Sequence, residues 1–127
     1  MSNKNELIDY KVKRAYESIS EVQFLLENNK LFLAVNRIYY GSFYILSALA
    51  IKHNFKTSKH NILISWFNKE FVKTEKLDKR LGKFIHKAFD ERTLSDYGDF
   101  INYTTDEVEK LFGEMKDFIN EVSKLLN

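Results

Sequence analysis

The stretch NRIYYGSFYILSALA, Asn36–Ala50, decides the fold. It overlaps an uncharged run from Ile38 to Ile51 that holds no Pro and a single Gly. Wound as a helix, the run places apolar and aromatic side chains on most sides, so it reads as a helix buried over most of its circumference rather than one with a single wet face. Such a helix belongs in the middle of a bundle. Arg37, Tyr40, Gly41 and Tyr44 fall at i, i+3, i+4 and i+7, which gathers a cation, two phenols and a small residue onto one face. An Arg entering so apolar a helix needs a partner, because an unpaired charge there is costly to desolvate. A structural carboxylate, another subunit or a ligand could each supply one.

Working outward, the central helix extends from about Leu31 to His53 and is preceded by a helix over about Glu6–Asn28. In that first helix Ile8, Val12, Ala15, Ile19, Val22, Leu25 and Leu26 keep helical spacing, and Asn28-Asn29 supplies a stop because Asn tolerates the left-handed conformation. The short gap predicts an antiparallel hairpin. Beyond the central helix, Thr57 or Ser58 can cap a third segment, Ser58–Lys73, with Ile62, Leu63, Trp66, Phe67, Glu70 and Phe71 at helical spacing. A charged connection at Lys73–Lys76 leads to a fourth helix, Leu77 to roughly Leu94, which turns Leu81, Phe84, Ile85, Ala88 and Phe89 inward. The last helix opens with Thr104 and Glu107, spaced as a capping box, and continues with a stripe from Val108 to Leu125. The expectation is an all-α, up-and-down bundle of four long helices plus one shorter helix, in one domain.

Composition agrees with that reading. Aromatic residues are abundant (Phe 11, Tyr 7, Trp 1), Pro is absent and Gly numbers only 4 in 127 residues, a balance that suits long helices and short turns. The absence of Cys excludes a disulfide framework, a thiolate nucleophile and a Cys-based zinc site. Three scattered His without a Glu-x-x-His pair give no ligand cluster of the usual bundle type, and no phosphate-binding loop, dinucleotide fingerprint or zinc-protease signature is present. No cofactor is expected. The N-terminus lacks a secretory core, and the uncharged run is shorter than the ~20 apolar residues of a membrane helix, so a cytoplasmic protein without membrane association is expected.

Charge is unevenly placed. Residues 1–51 carry six basic and five acidic side chains, residues 52–87 ten and three, and residues 88–127 four and ten. A basic middle and an acidic end suit helices that attract one another, and equally a patch for a polyanion such as RNA.

Two segments carry a family likeness. AVNRIYYGSFYILSALA (Ala34–Ala50), and HNILISWFNKEFVKTEKLD (His60–Asp78) leading to ERTLSDYGD (Glu91–Asp99), resemble the small stand-alone HEPN proteins encoded beside minimal nucleotidyltransferases. The resemblance spans about residues 6 to 124. It implies a helical bundle that forms a homodimer, and in many members a metal-independent ribonuclease toxin whose antitoxin is a nucleotidyltransferase. Other branches are binding or assembly modules without catalysis.

Active HEPN ribonucleases carry an Arg followed four to six positions later by a His. Arg80 and His86 satisfy that spacing, although six residues is about 600° of helix and sets the two side chains about 120° apart. They serve equally as surface residues among Lys79, Lys83 and Lys87. The stronger constellation is Arg92 with Asp96 and Tyr97: Arg92 and Asp96 stand at i and i+4, where they can form an ion pair that is only a helix-end clasp or one wall of a catalytic cleft. In the functional version Arg92 faces a cleft with Arg37 and binds phosphate, Tyr40 or Tyr97 donates a hydrogen bond, and His60 transfers a proton. His60 beside a helix start also fits a capping or surface role.

Overall fold

The computed structural model describes residues 2–95 and 102–127. In chain order its helices are α1 (Ser2–Glu27), α2 (Leu31–Lys52), α3 (His60–Phe67), α4 (Lys79–Ser95) and α5 (Thr105–Ser123), and the described residues include no strand. This is the expected all-α bundle, four long helices and one short one. Helix α2 is its axis, in contact with α1, α3, α4 and α5. Half of its residues are buried, among them Ile38, Tyr39, Ile45, Leu46 and Leu49. The two buried serines at this axis are satisfied locally: Ser42 Oγ on α2 donates to Ile38 O at 2.8 Å, and Ser18 Oγ on α1 donates to Arg14 O at 2.9 Å. That removes the penalty of burying an unpaired hydroxyl.

The helix ends follow local chemistry. Asn29 adopts φ 55° at the α1–α2 turn, the left-handed conformation that the Asn pair allows. At α5 the capping box forms in full: Thr104 Oγ1 accepts from Glu107 N at 3.1 Å, and Thr104 N donates to Glu107 Oε1 at 3.0 Å. Below it Val108, Leu111, Phe112, Met115, Phe118, Ile119 and Val122 are buried as one stripe. The α3 boundary differs from expectation. Thr57 Oγ1 accepts from Lys59 N at 3.1 Å, so it orders the connection without capping the helix, which starts only at His60. Helix α3 then widens into a π-helical turn over Asn68–Val72, closed by Lys73 N donating to Asn68 O at 2.8 Å. Phe67 and Phe71 both reach the core, where their rings stack at 6.0 Å.

Glycine matters most at Gly41, where α1 and α5 press on α2. A Cβ there would stand 2.6 Å from Ser18 Cβ and 2.5 Å from Met115 Cε. The methionine end can move, but the serine Cβ is fixed to the α1 backbone, so the helices would have to separate. Gly41→Ala is therefore expected to destabilise the fold by about 1–3 kcal/mol despite the better helix propensity of Ala. Chemical denaturation followed by circular dichroism measures this; a variant as stable as the wild type would show that the α1–α2 approach is looser than described.

Candidate functional site

Two successive tyrosines on α2 point at different partners. The Tyr39 ring is fully buried, and its hydroxyl hydrogen-bonds Nδ1 of His60, the first residue of α3. His60 lies nearly flat on Phe43, one turn along α2, at 3.8 Å between ring centroids. Tyr40, half-buried, accepts a hydrogen bond from Arg92 Nη2 on α4 at 2.8 Å. The Arg92 guanidinium also lies over both phenol rings, 5.5 Å from the Tyr40 centroid and 5.9 Å from that of Tyr39. Phe89, one turn before Arg92, closes the back of the cluster against Tyr39 at 5.9 Å. Three helices thus bring an Arg, a His and two phenols together on an aromatic floor.

Electrostatics fix the protonation of this group. Burial pushes the Tyr39 hydroxyl well above the ordinary tyrosine value, more than the Arg92 charge pulls it down, so Tyr39 is a neutral phenol. His60 Nδ1 is its one hydrogen-bonding partner among the described residues, so the buried O–H donates to that nitrogen. The resting imidazole therefore carries its proton on Nε2, the nitrogen left for other work. Burial, and then the Arg92 charge, lower the His60 pKa from its ordinary 6.5, so the ring is neutral at pH 7.

The site residues expected from sequence divide accordingly. Arg92, Tyr40 and His60 are brought together. Asp96 and Tyr97 lie outside the described residues. Arg37 does not join the cluster: it turns to α1, where Nε stands 3.6 Å from Glu21 Oε1. The four-residue face is split, because Gly41 and Tyr44 also face α1, Tyr44 beneath Arg14 at 5.2 Å, while Tyr40 lies far enough around the helix to reach α4. A structural carboxylate is thus the partner that Arg37 required. Arg80 and His86 are likewise separate. Arg80 holds Asp117 of α5 with two bonds at 2.9 and 3.2 Å, and His86 is an exposed residue 3.3 Å from Asp90. Tyr39 and Phe43 were not among the expected site residues. The available signal was the need of a phenol in so buried a helix for a polar partner. Among the described residues no group of three or more carboxylate or imidazole side chains is placed to hold a metal ion, and no helix is long and apolar enough to cross a membrane.

The HEPN domain model matches residues 8–125, nearly the whole chain. The chain belongs to the HEPN family. Its relatives include a UPF0332 protein of Thermotoga maritima, 38% identical over 126 residues, which cover 99% of this chain and 96% of that protein. A Methanocaldococcus jannaschii protein bearing the name "Putative toxin" is 32% identical over 91% of this chain and 78% of its own length. A second protein of that name from the same organism is 30% identical over 95% of this chain and 90% of its own. In this HEPN domain, then, the Arg92–Tyr40 and Tyr39–His60 pairs lie within the matched span, as do Arg80 and His86.

The cluster makes a measurable prediction. His60 is expected to titrate below 6.5 in an NMR pH series, and Arg92→Gln to move its midpoint upward by removing the second of the two causes. An unshifted midpoint in the variant would place the Arg92 charge away from the imidazole. Because the folded state resists a proton that the unfolded chain accepts, His60 lowers stability as pH falls below about 6.5, the loss levelling off below the folded-state pKa.

Proposed function

We propose that this chain is the toxin of a toxin–antitoxin or related defence pair and acts as a metal-independent endoribonuclease. The observation that carries the reading is the convergence of Arg92, Tyr40 and His60 above the buried Tyr39 hydroxyl. RNA brings its own nucleophile: the 2′-oxygen attacks the adjacent phosphorus, the bond to the 5′-oxygen breaks, and a 2′,3′-cyclic phosphate and a 5′-hydroxyl result. The protein has to hold the phosphate, offset the charge that builds on it and move one proton. Arg92, always cationic and oriented by Tyr40, is the donor for the non-bridging oxygens. His60, fixed through Nδ1, works through Nε2–H: it donates to the phosphate and passes that proton to the departing 5′-oxygen as Nδ1 takes up the Tyr39 proton, while the proton of the attacking 2′-hydroxyl is lost to water, which restores Tyr39. Asp96 and Tyr97, four and five residues after Arg92, complete the proposed catalytic set. Arg37, held by Glu21, is left out of it.

Relatives that carry toxin in their names support this reading. It takes a nucleotidyltransferase antitoxin as partner, a homodimer as the working form and the cytoplasm as its place. A second reading, a non-catalytic HEPN subunit that binds a nucleotidyltransferase or nucleic acid, is favoured by one observation. Phe24 and Leu33, at the hairpin end of α1 and α2, expose 64% and 57% of their surface, as residues awaiting a protein partner would.

Incubation of the purified protein with single-stranded RNA in the presence of a chelator separates the two. The nuclease reading expects cleavage to 2′,3′-cyclic phosphate ends, a loss of about 100-fold or more in Arg92→Ala and His60→Gln, and rates within about twofold of wild type in Arg80→Ala and His86→Ala. Intact RNA after incubation with folded wild-type protein would overturn it in favour of the binding subunit.

A further inference from the structure

On the side of the bundle formed by α1, the last turns of α2 and the 54–58 connection, two cavities of about 560 and 470 Å³ share Leu7, Ile51, Phe55 and Lys56 and so form one groove. Each volume falls within the ~300–1,000 Å³ range of sites that hold small ligands. Nothing described so far uses this groove. We propose that it binds a single-stranded polynucleotide and leads it to the Arg92–His60 cluster, an inference that rests on the nuclease reading above.

Three features point to that occupant. The first is charge: Lys4, Lys11 and Lys56 are among the lining residues, which include no carboxylate. Lys4 is held over one end by donating to Asn54 Oδ1 at 3.1 Å. Positive charge extends past that end: burial first, and then the charges of Lys52, Lys76 and Lys4, lower the His53 pKa, with Glu70 opposing. The second is an aromatic wall. Phe55 lines both cavities, and its ring is stacked on Trp66 at 4.9 Å and 11°, which fixes its plane as a platform for a base. The exposed Leu7 adds apolar surface beside it. The third is continuity. The inner end of the groove is lined by Ser47 and Leu63, one turn along α2 from Phe43 and one turn along α3 from His60, the stacked pair at the edge of the candidate site. An acidic peptide would share the charge preference, but it needs neither a flat aromatic wall nor a route to a phosphate-handling cluster.

The test uses fluorescence anisotropy with a labelled 12-nucleotide 2′-O-methyl RNA, which binds as a single strand and lacks the nucleophile. The wild type is expected to bind with strong salt dependence. The combined variant Lys4→Gln, Lys11→Gln and Lys56→Gln should bind at least about tenfold more weakly near 0.1 M salt, with a log–log salt slope shallower by about 2. Phe55→Leu keeps an apolar side chain but removes the stacking face, and should weaken binding about fivefold or more; circular dichroism melting confirms that it is folded. Equal weakening on removal of three lysines from α5 and the turn that follows it (Lys110→Gln, Lys116→Gln and Lys124→Gln) would reduce the effect to overall charge and overturn the groove. So would groove variants that bind the oligonucleotide as the wild type does, including the case in which they lose only an acidic protein partner. The two readings fail separately. Cleavage with no dependence of binding on the groove overturns this inference alone, whereas groove-dependent binding without RNA cleavage overturns the nuclease reading alone.

Discussion

A helix covered by four others can carry a polar side chain only where a neighbour supplies its partner, and α2 obeys that constraint along its length. Ser42 returns its hydroxyl to its own backbone, Arg37 meets Glu21 on α1, Tyr40 meets Arg92 on α4, and Tyr39 meets His60 on α3. The last three pairings tie α1, α4 and α3 to the axis. The polar cluster is thus part of the same accounting that holds the bundle together, and the residues that fix the orientation of α3 and α4 are those offered for chemistry. Truncating Arg92 or His60 therefore removes both a functional group and a partner of a tyrosine of the central helix.

The electrostatics of the cluster follow from this placement. Tyr39 is kept neutral by burial, and a neutral buried phenol has one proton to give. Giving it to Nδ1 decides the imidazole tautomer before any substrate arrives, the usual service of a hydrogen bond on the far ring nitrogen. Arg92 keeps its charge at working pH and lies over both phenol rings, where cation–π attraction adds to its hydrogen bond with Tyr40. Preorganisation of this kind is what a site that stabilises developing negative charge requires.

Much of the fold was legible in the sequence. Periodicity located all five helices, since apolar spacing is strong in α2, α4 and α5, and the Thr104/Glu107 box and the Asn28-Asn29 stop marked two ends by mechanisms that need no tertiary context. The start of α3 was not legible, because Thr57 spends its hydroxyl on a turn one residue early, a choice made by the connection rather than the helix. Nor was the π-helical turn, whose single extra residue leaves the 3.6-residue pattern almost unchanged. The candidate site was half legible. Arg92, Tyr40 and His60 stood out by residue type and by likeness to the family. Arg37 was grouped with Tyr40 because i and i+3 share a face, yet about 60° separates them on a helix, enough for one to reach α1 and the other α4. Tyr39 was passed over for the same reason that it matters: a residue within an unbroken apolar run looks like core, and its hydroxyl's partner lies 21 positions away.

Trp66 is the one tryptophan of the chain, and it lies against Phe55 and within 6.1 Å of the His53 ring. The tryptophan emission of the protein, excited at the red edge where its tyrosines absorb little, therefore originates at one defined spot, the joint between α2 and α3. A nucleobase stacking on the far side of Phe55, or a proton arriving on His53, would change the surroundings of that indole and of no other indole in the chain. The molecule carries its own optical probe for the connection that links the polar cluster to the basic end of the bundle, with no label attached and no residue replaced.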